Sequence, residues 1–216
     1  MPLITAHLSI SLDGFVAGPD QSEENPIGVG GLELHRWHIG EPTNAADRAM
    51  SDRILAPRGA YVMGRNMFGP VRGGWDGSDW RGWWGEEPPY HAPVFVLTHH
   101  PRESIALTGT TFHFVDGFDE ALERAVAAAG DRTVTIAGGA SAVRQGLRAG
   151  VVDEIMLSHV PLLLGRGERL FDGVPALRAE PVEVAASPNA THVVYRIDRS
   201  RGGPGGGSGA GGTRES

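Results

Sequence analysis

Three short stretches place glycine or hydroxyl groups beside side chains suited to holding an anion. Gly138-Gly139-Ala140-Ser141 follows the apolar run 133–137 and precedes a segment with helical spacing. Glycine lets the backbone approach a ligand closely, and the first N–H groups of a helix are unpaired donors at the positive end of its dipole. A phosphate or pyrophosphate suits that turn. Gly64-Arg65 ends a second apolar run, 60–63, and a guanidinium fork binds two phosphate oxygens at once. Thr98-His99-His100 ends a third, 93–97, and offers a hydroxyl and two imidazoles. Taken singly, each also reads as an ordinary turn. Together they weigh more, because the carboxyl ends of parallel strands converge on one crevice.

Other patterns invite chemistry but lack its context. Gly28-Val29-Gly30-Gly31 resembles the start of a dinucleotide fingerprint, yet no strand precedes it. His35 and His38 share a helical spacing without a third ligand nearby, so no metal site is expected. Ser9 and Ser11 stand outside any nucleophile elbow. Trp75, Trp80, Trp83 and Trp84 crowd the stretch 69–90. They read first as a self-packed cover, and second as a shield that keeps water from a hydride-transfer site.

The elements that must carry these groups alternate. Strands are expected at 3–10, 60–63, 93–98, 133–137, 154–160, 182–186 and 192–197, and helices at 44–55, 119–129 and 140–149. Thr43 is the expected cap of the first helix. Alternating units followed by a hairpin around Ser187-Pro188-Asn189-Ala190 predict an α/β fold with a mostly parallel sheet and an antiparallel C-terminal edge. One domain over 1–198 and a disordered glycine-rich tail over 199–216 are expected, because the tail has almost no large apolar side chain to bury.

Composition narrows the class. The 216 residues are 40% hydrophobic and contain no cysteine, which removes disulfides and thiolate chemistry and suits a cytoplasmic setting. No transmembrane span or secretory signal is expected. A net charge of −7 speaks against nucleic-acid or anionic-membrane partners. The expected partner is a small-molecule substrate.

In order along the chain, Ser11-Leu12-Asp13-Gly14-Phe15-Val16-Ala17, Met63-Gly64-Arg65, Val96-Leu97-Thr98, Ile136-Ala137-Gly138-Gly139-Ala140, Val152-Asp153-Glu154-Ile155 and Pro161-Leu162-Leu163-Leu164-Gly165-Arg166-Gly167 resemble the dihydrofolate reductase superfamily, in its riboflavin-biosynthesis reductase (RibD C-terminal) branch. The resemblance spans about 3–198. It implies a dihydrofolate reductase-like three-layer sandwich, an NADPH cofactor, a hydride transferred to a small heterocycle or carbonyl, and a homodimer. Arg65, Thr98 and His99 would then face the 2′-phosphate, and Gly64, Gly138, Gly139, Ala140 and Ser141 the other phosphates. Val16, Ala17, Leu164 and Gly165 would lie near the nicotinamide. Relatives that reduce dihydrofolate carry a carboxylate on their first helix. Here Glu33, Glu41 and Asp47 all fall near that region, and Asp13 is a further candidate acid. A non-catalytic NADP-binding module of the same fold is the alternative.

Overall fold

The computed structural model describes residues 1–40 and 44–199. Six strands run parallel through the centre of one sheet: β1 (Ile4–Ser11), β3 (Ala60–Gly64), β4 (Pro93–Leu97), β6 (Thr110–Val115), β7 (Val134–Gly138) and β8 (Glu154–Val160). With β5 (Ile105–Leu107), β10 (Ala179–Ala186) and β11 (Thr191–Ile197), the order across the sheet is β10-β11-β8-β1-β7-β3-β4-β6-β5. Antiparallel pairing is confined to the two edges. The C-terminal hairpin is where the sequence places it, and β5 adds an antiparallel strand at the far edge. Two short strands, β2 (Phe15–Ala17) and β9 (Glu168–Arg169), pair with each other apart from the main sheet.

The central strands are continuous apolar runs because helices and loops cover both their faces. Every residue of β7, Val-Thr-Ile-Ala-Gly, is buried. On one face, α3 (Phe118–Ala129) buries Ala121, Ala125 and Ala129, and α4 (Ala140–Arg148) buries Val143 and Leu147. These spacings of four put each set on one helix stripe. They pack against Ile4, Ala6, Val62 and Ile136.

The opposite face carries two separate clusters. Tyr61, Met63, Val94, Val96, Phe112 and Phe114 form one, capped by α2 (Arg65–Phe68) and by Trp75 and Trp80. Leu34 of a 3-10 helix (Gly31–His35), Trp37, and Met50 of α1 (Ala45–Leu55) form the other with Met156, Val160 and Val194. Between them β1 and β7 present Thr5 and Thr135, whose hydroxyls lie 3.0 Å apart. The result is a three-layer sandwich.

The first helix is capped by Asn44, whose Oδ1 accepts from the Ala46 N–H at 2.8 Å. Thr43, the expected cap, lies outside the described residues, as does the glycine-rich segment 200–216. No helix among the described residues is long and apolar enough to cross a membrane.

Candidate functional site

Because six strands are parallel, Ser11, Gly64, Leu97, Val115, Gly138 and Val160 end on one edge of the sheet. Nearly every residue proposed from the sequence follows one of these ends.

The Gly138–Gly139 turn is the most open of them. Gly138 has φ +134°, a region that disfavours a side chain, and a Cβ there would meet Met67 Sδ at 3.3 Å. A Cβ on Gly139 would meet nothing within 4 Å. The peptide bond joining them is cis. Gly139 caps α4 with no side-chain hydrogen bond. Behind it Ala140 is buried and Ser141 exposed. Gly64 abuts this turn, since a Cβ on it would lie 3.4 Å from Gly139 N. The β3 and β7 turns therefore form one glycine-walled corner at a helix N-terminus, suited to phosphate.

Beside that corner Arg65 Nη1 donates to Thr98 Oγ1 at 3.1 Å and Nε donates to the Val71 carbonyl at 3.2 Å. Its Nη2 is buried without a partner. Burial lowers the guanidinium below its usual value, and the charges of Arg72 and Arg102 lower it further. Thr98 is buried, whereas His99 is exposed and hydrogen-bonds Asp116 at 2.7 Å. The structure thus joins Arg65 and Thr98 directly, and turns His99 toward the carboxylate that follows β6.

The loop after β1 is tied to the segment after β8. Asp13 Oδ1 accepts from the Ser11 hydroxyl at 2.6 Å and from Leu164 N–H at 3.1 Å, and Oδ2 accepts from Gly165 N–H at 2.7 Å. The Ser11 hydroxyl, with the two backbone donors, pulls the Asp13 carboxyl down to about 2. It is an ionised brace at neutral pH. Val16 packs into the main core and Ala17 is buried beside it, so β2 presents mainly backbone.

Of the remaining acids, Glu33 pairs with Arg36 at the surface, and Glu41 lies outside the described residues. Asp47 is fully buried. Its Oδ1 is 2.9 Å from His192 Nε2, and its Oδ2 accepts from Asn189 Nδ2 at 2.9 Å. Burial alone would raise this carboxyl, but hydrogen bonds from Ser187, His192 and Asn189 outweigh it and hold it low. His192 Nδ1 in turn reaches Ser158 Oγ at 2.9 Å. The Trp37 ring packs edge-on against His192 and donates from Nε1 to Ser9 Oγ. Ser–His–Asp are in contact here, yet all three are sealed from solvent. His35 and His38 bond to each other, Nδ1 to Nε2, at 3.0 Å.

The Gly28–Gly31 stretch has a structural task. A Cβ on Gly28 (φ +78°) would fall 2.1 Å from the Gly18 carbonyl oxygen, so two glycines close the loop between β2 and the 3-10 helix. The tryptophan segment covers the β3–β4–β6 end of the sheet, where Trp75 and Trp80 pack on the aromatic cluster. Arg65 lies 3.8 Å from the Trp75 ring centre, and Arg102 lies 4.8 Å from it. Arg102 and Asp116 were missing from the sequence reading, which took Trp75 only as part of a cover or shield. The one available signal was position, since Arg102 follows the Thr98 turn and Asp116 follows the unrecognised strand β6.

The RibD C-terminal domain family model matches residues 2–193. Searched against curated protein sequences, the chain finds no match. Among solved structures it resembles a protein from Shewanella sp. PV-4 named for riboflavin biosynthesis, at 21% identity and TM-score 0.62, covering 91% of this chain and 99% of that one. A pyrimidine reductase-like protein from Corynebacterium diphtheriae follows at 16% identity and TM-score 0.58, covering 91% and 92%. The diaminohydroxyphosphoribosylaminopyrimidine deaminase/5-amino-6-(5-phosphoribosylamino)uracil reductase of Thermotoga maritima gives 16% and 0.57. That match covers 91% of this chain but only 57% of the longer one. These likenesses agree with the fold, and the matched span 2–193 contains the Gly64, Gly138–Gly139 and Gly165 turns that the geometry gathers at one edge. The chain belongs to the RibD C-terminal domain family.

Proposed function

We propose that the chain is an NADPH-dependent reductase that passes a hydride to a small pyrimidine-like heterocycle or carbonyl. The observation that carries this reading is the adjacency of the open Gly139 turn to Arg65, whose Nη2 is buried and unpaired. The residues fit the cofactor: a pyrophosphate against Gly64, Gly138, Gly139 and the first turn of α4, and a charged monoester against Arg65 and Thr98. When bound, NADPH supplies the hydride. The chain's own part is to fix geometry and exclude water. Asp13 holds Leu164 and Gly165 against the loop that leads into Val16 and Ala17, which sets one wall of the substrate pocket.

The test is NADPH oxidation, followed by absorbance, over a panel of aminopyrimidines, pterins, flavins, quinones and carbonyls. Turnover of a pyrimidine or carbonyl, lost in Asp13→Ala, supports the reading.

One observation favours a second reading, an NADP-binding module without chemistry. Two of the acids the sequence offers for the chemistry, Asp13 and Asp47, are both consumed by hydrogen bonds. Tight NADPH binding with no oxidation across the panel would establish it.

A further inference from the structure

We propose that the cavity beneath the last turn of α1 is a second ligand site, at the opposite edge of the sheet from the glycine turns, and that it takes a small aliphatic monocarboxylate.

α1 comes after the carboxyl end of β1, and its last turn meets the amino ends of the strands. There a cavity of about 140 Å³ lies between Arg53, Ile54 and Arg58 and the face of β1, β8 and β11. Strand register builds its floor: His7 stands opposite Met156, and Met156 opposite Val194. Leu3 and Thr133, each just before a strand begins, line its amino end. Thr5 lines it too, and roughly 20 Å of β1 separates Thr5 from Ser11 at the far edge. The cavity is therefore separate from the turns assigned to the cofactor phosphates.

Arg58 is the cation the fold leaves over. Its Nη2 donates to the Arg53 carbonyl at 2.6 Å, which closes the end of α1, while its Nε is buried without a partner. Burial lowers this guanidinium below its ordinary value, and the like charge of Arg53 lowers it further. Arg53 is answered by Glu183 at 2.8 Å and by Glu154 at 3.5 Å. Among the described residues no carboxylate forms an ion pair with Arg58. His7 stays neutral at physiological pH, because burial and then the Arg58 charge pull it down to about 4. The cavity thus carries one unanswered positive charge and an uncharged imidazole.

A single negative charge balances that wall, and a charge-assisted hydrogen bond is strong in a partly buried site. Glu154, on the same wall, opposes a doubly charged anion. Leu3, Ile54, Met156 and Val194 offer nothing to phosphate or sulfate, but they would cover a hydrocarbon tail. The volume suits roughly six heavy atoms, since a cavity of about 150 Å³ takes one benzene. Butyrate has that size and that charge.

The experiment titrates the full chain with butyrate, butyramide and inorganic phosphate by calorimetry, and maps butyrate on the methyl resonances. Butyrate is expected to bind at about 5 mM or tighter, with butyramide and phosphate at least about tenfold weaker. Resonances of Ile54, Met156 and Val194 should move, and those of Val16 and Leu164 at the other edge should not. Arg58→Gln is expected to weaken butyrate by about ten- to a hundredfold, and Arg58→Lys by less. Ile54→Phe, which fills the cavity and leaves every charge in place, should abolish binding. The methyl map needs no variant, so it decides the matter even where Arg58→Gln fails to fold. Absence of butyrate binding in that range, equal affinity for butyramide or phosphate, shifts at the carboxyl edge instead, or full affinity in Arg58→Gln overturns the proposal. Each of these results leaves the cofactor reading standing, because no step of the test uses NADPH.

Discussion

Asp13 and Gly165, 152 positions apart in sequence, are joined by a 2.7 Å hydrogen bond from the Gly165 N–H to the Asp13 carboxylate. With the parallel bond from Leu164, one side chain locks the loop after the first strand to the loop after the eighth. The family motif that begins at Ser11 and the one that ends at Gly167 meet at this carboxylate.

Replacing Asp13 with Asn or Ala should loosen both loops together. Hydrogen exchange is expected to rise in 12–18 and 162–170 and to stay unchanged in β3, β4 and β7. The carboxyl is held at about 2, below its ordinary 3.8. Its contribution is therefore complete above pH 3.8 and is lost as pH falls toward 2. At neutral pH the brace should be insensitive to pH, and only substitution should release it.

Gly139→Ala separates fold from binding. Its Cβ would enter empty space, so thermal stability should change little, by about 1 kcal/mol or less. The methyl group would occupy the corner assigned to the cofactor phosphates, and NADPH affinity is expected to fall at least tenfold. Unchanged affinity would remove the pyrophosphate from this turn.

The sealed Asp47–His192 pair should be structural in its energetics. Removing one partner of a buried pair leaves the other unsatisfied, at a cost of about 3–5 kcal/mol. Chemical denaturation of His192→Ala and Asp47→Ala should show losses of that size, and the double variant should lose much less than their sum.

Acid should weaken the fold well above the carboxylate range. Burial, with the charge of Arg58 and then His38, pulls His7 down to about 4; burial, with His38 and His7, does the same to His35. The unfolded chain binds these protons near pH 6.5 and the folded chain only near 4. Stability is thus full above 6.5 and declines as pH falls from 6.5 to 4. His7→Gln and His35→Gln should each flatten that slope in melting experiments run from pH 7 to pH 4.5.

The core sheet was legible because its strands are apolar runs closed by glycine or turn residues, as in Val134–Gly138 and Ala60–Gly64. β6 was not, although Phe112 and Phe114 alternate inward: the polar Thr111 before them and His113 between them broke the run that marks the other central strands. β2 and β9 are three and two residues long, too short for any periodicity. The site divides in the same way. Glycine turns announce themselves locally, whereas the Asp47–His192 and Arg65–Thr98 contacts depend on the sheet bringing distant segments together. Asp13 was visible as an acid, but its backbone partners at Leu164 and Gly165 lay beyond local inspection.

The central claim is that the carboxyl edge of the sheet holds NADPH by its phosphates. A calorimetric titration of the full chain with NADPH and NADH tests it most directly. The account predicts NADPH binding well below about 1 mM and at least tenfold tighter than NADH. Absence of NADPH binding in that range, or equal or tighter binding of NADH, would contradict it.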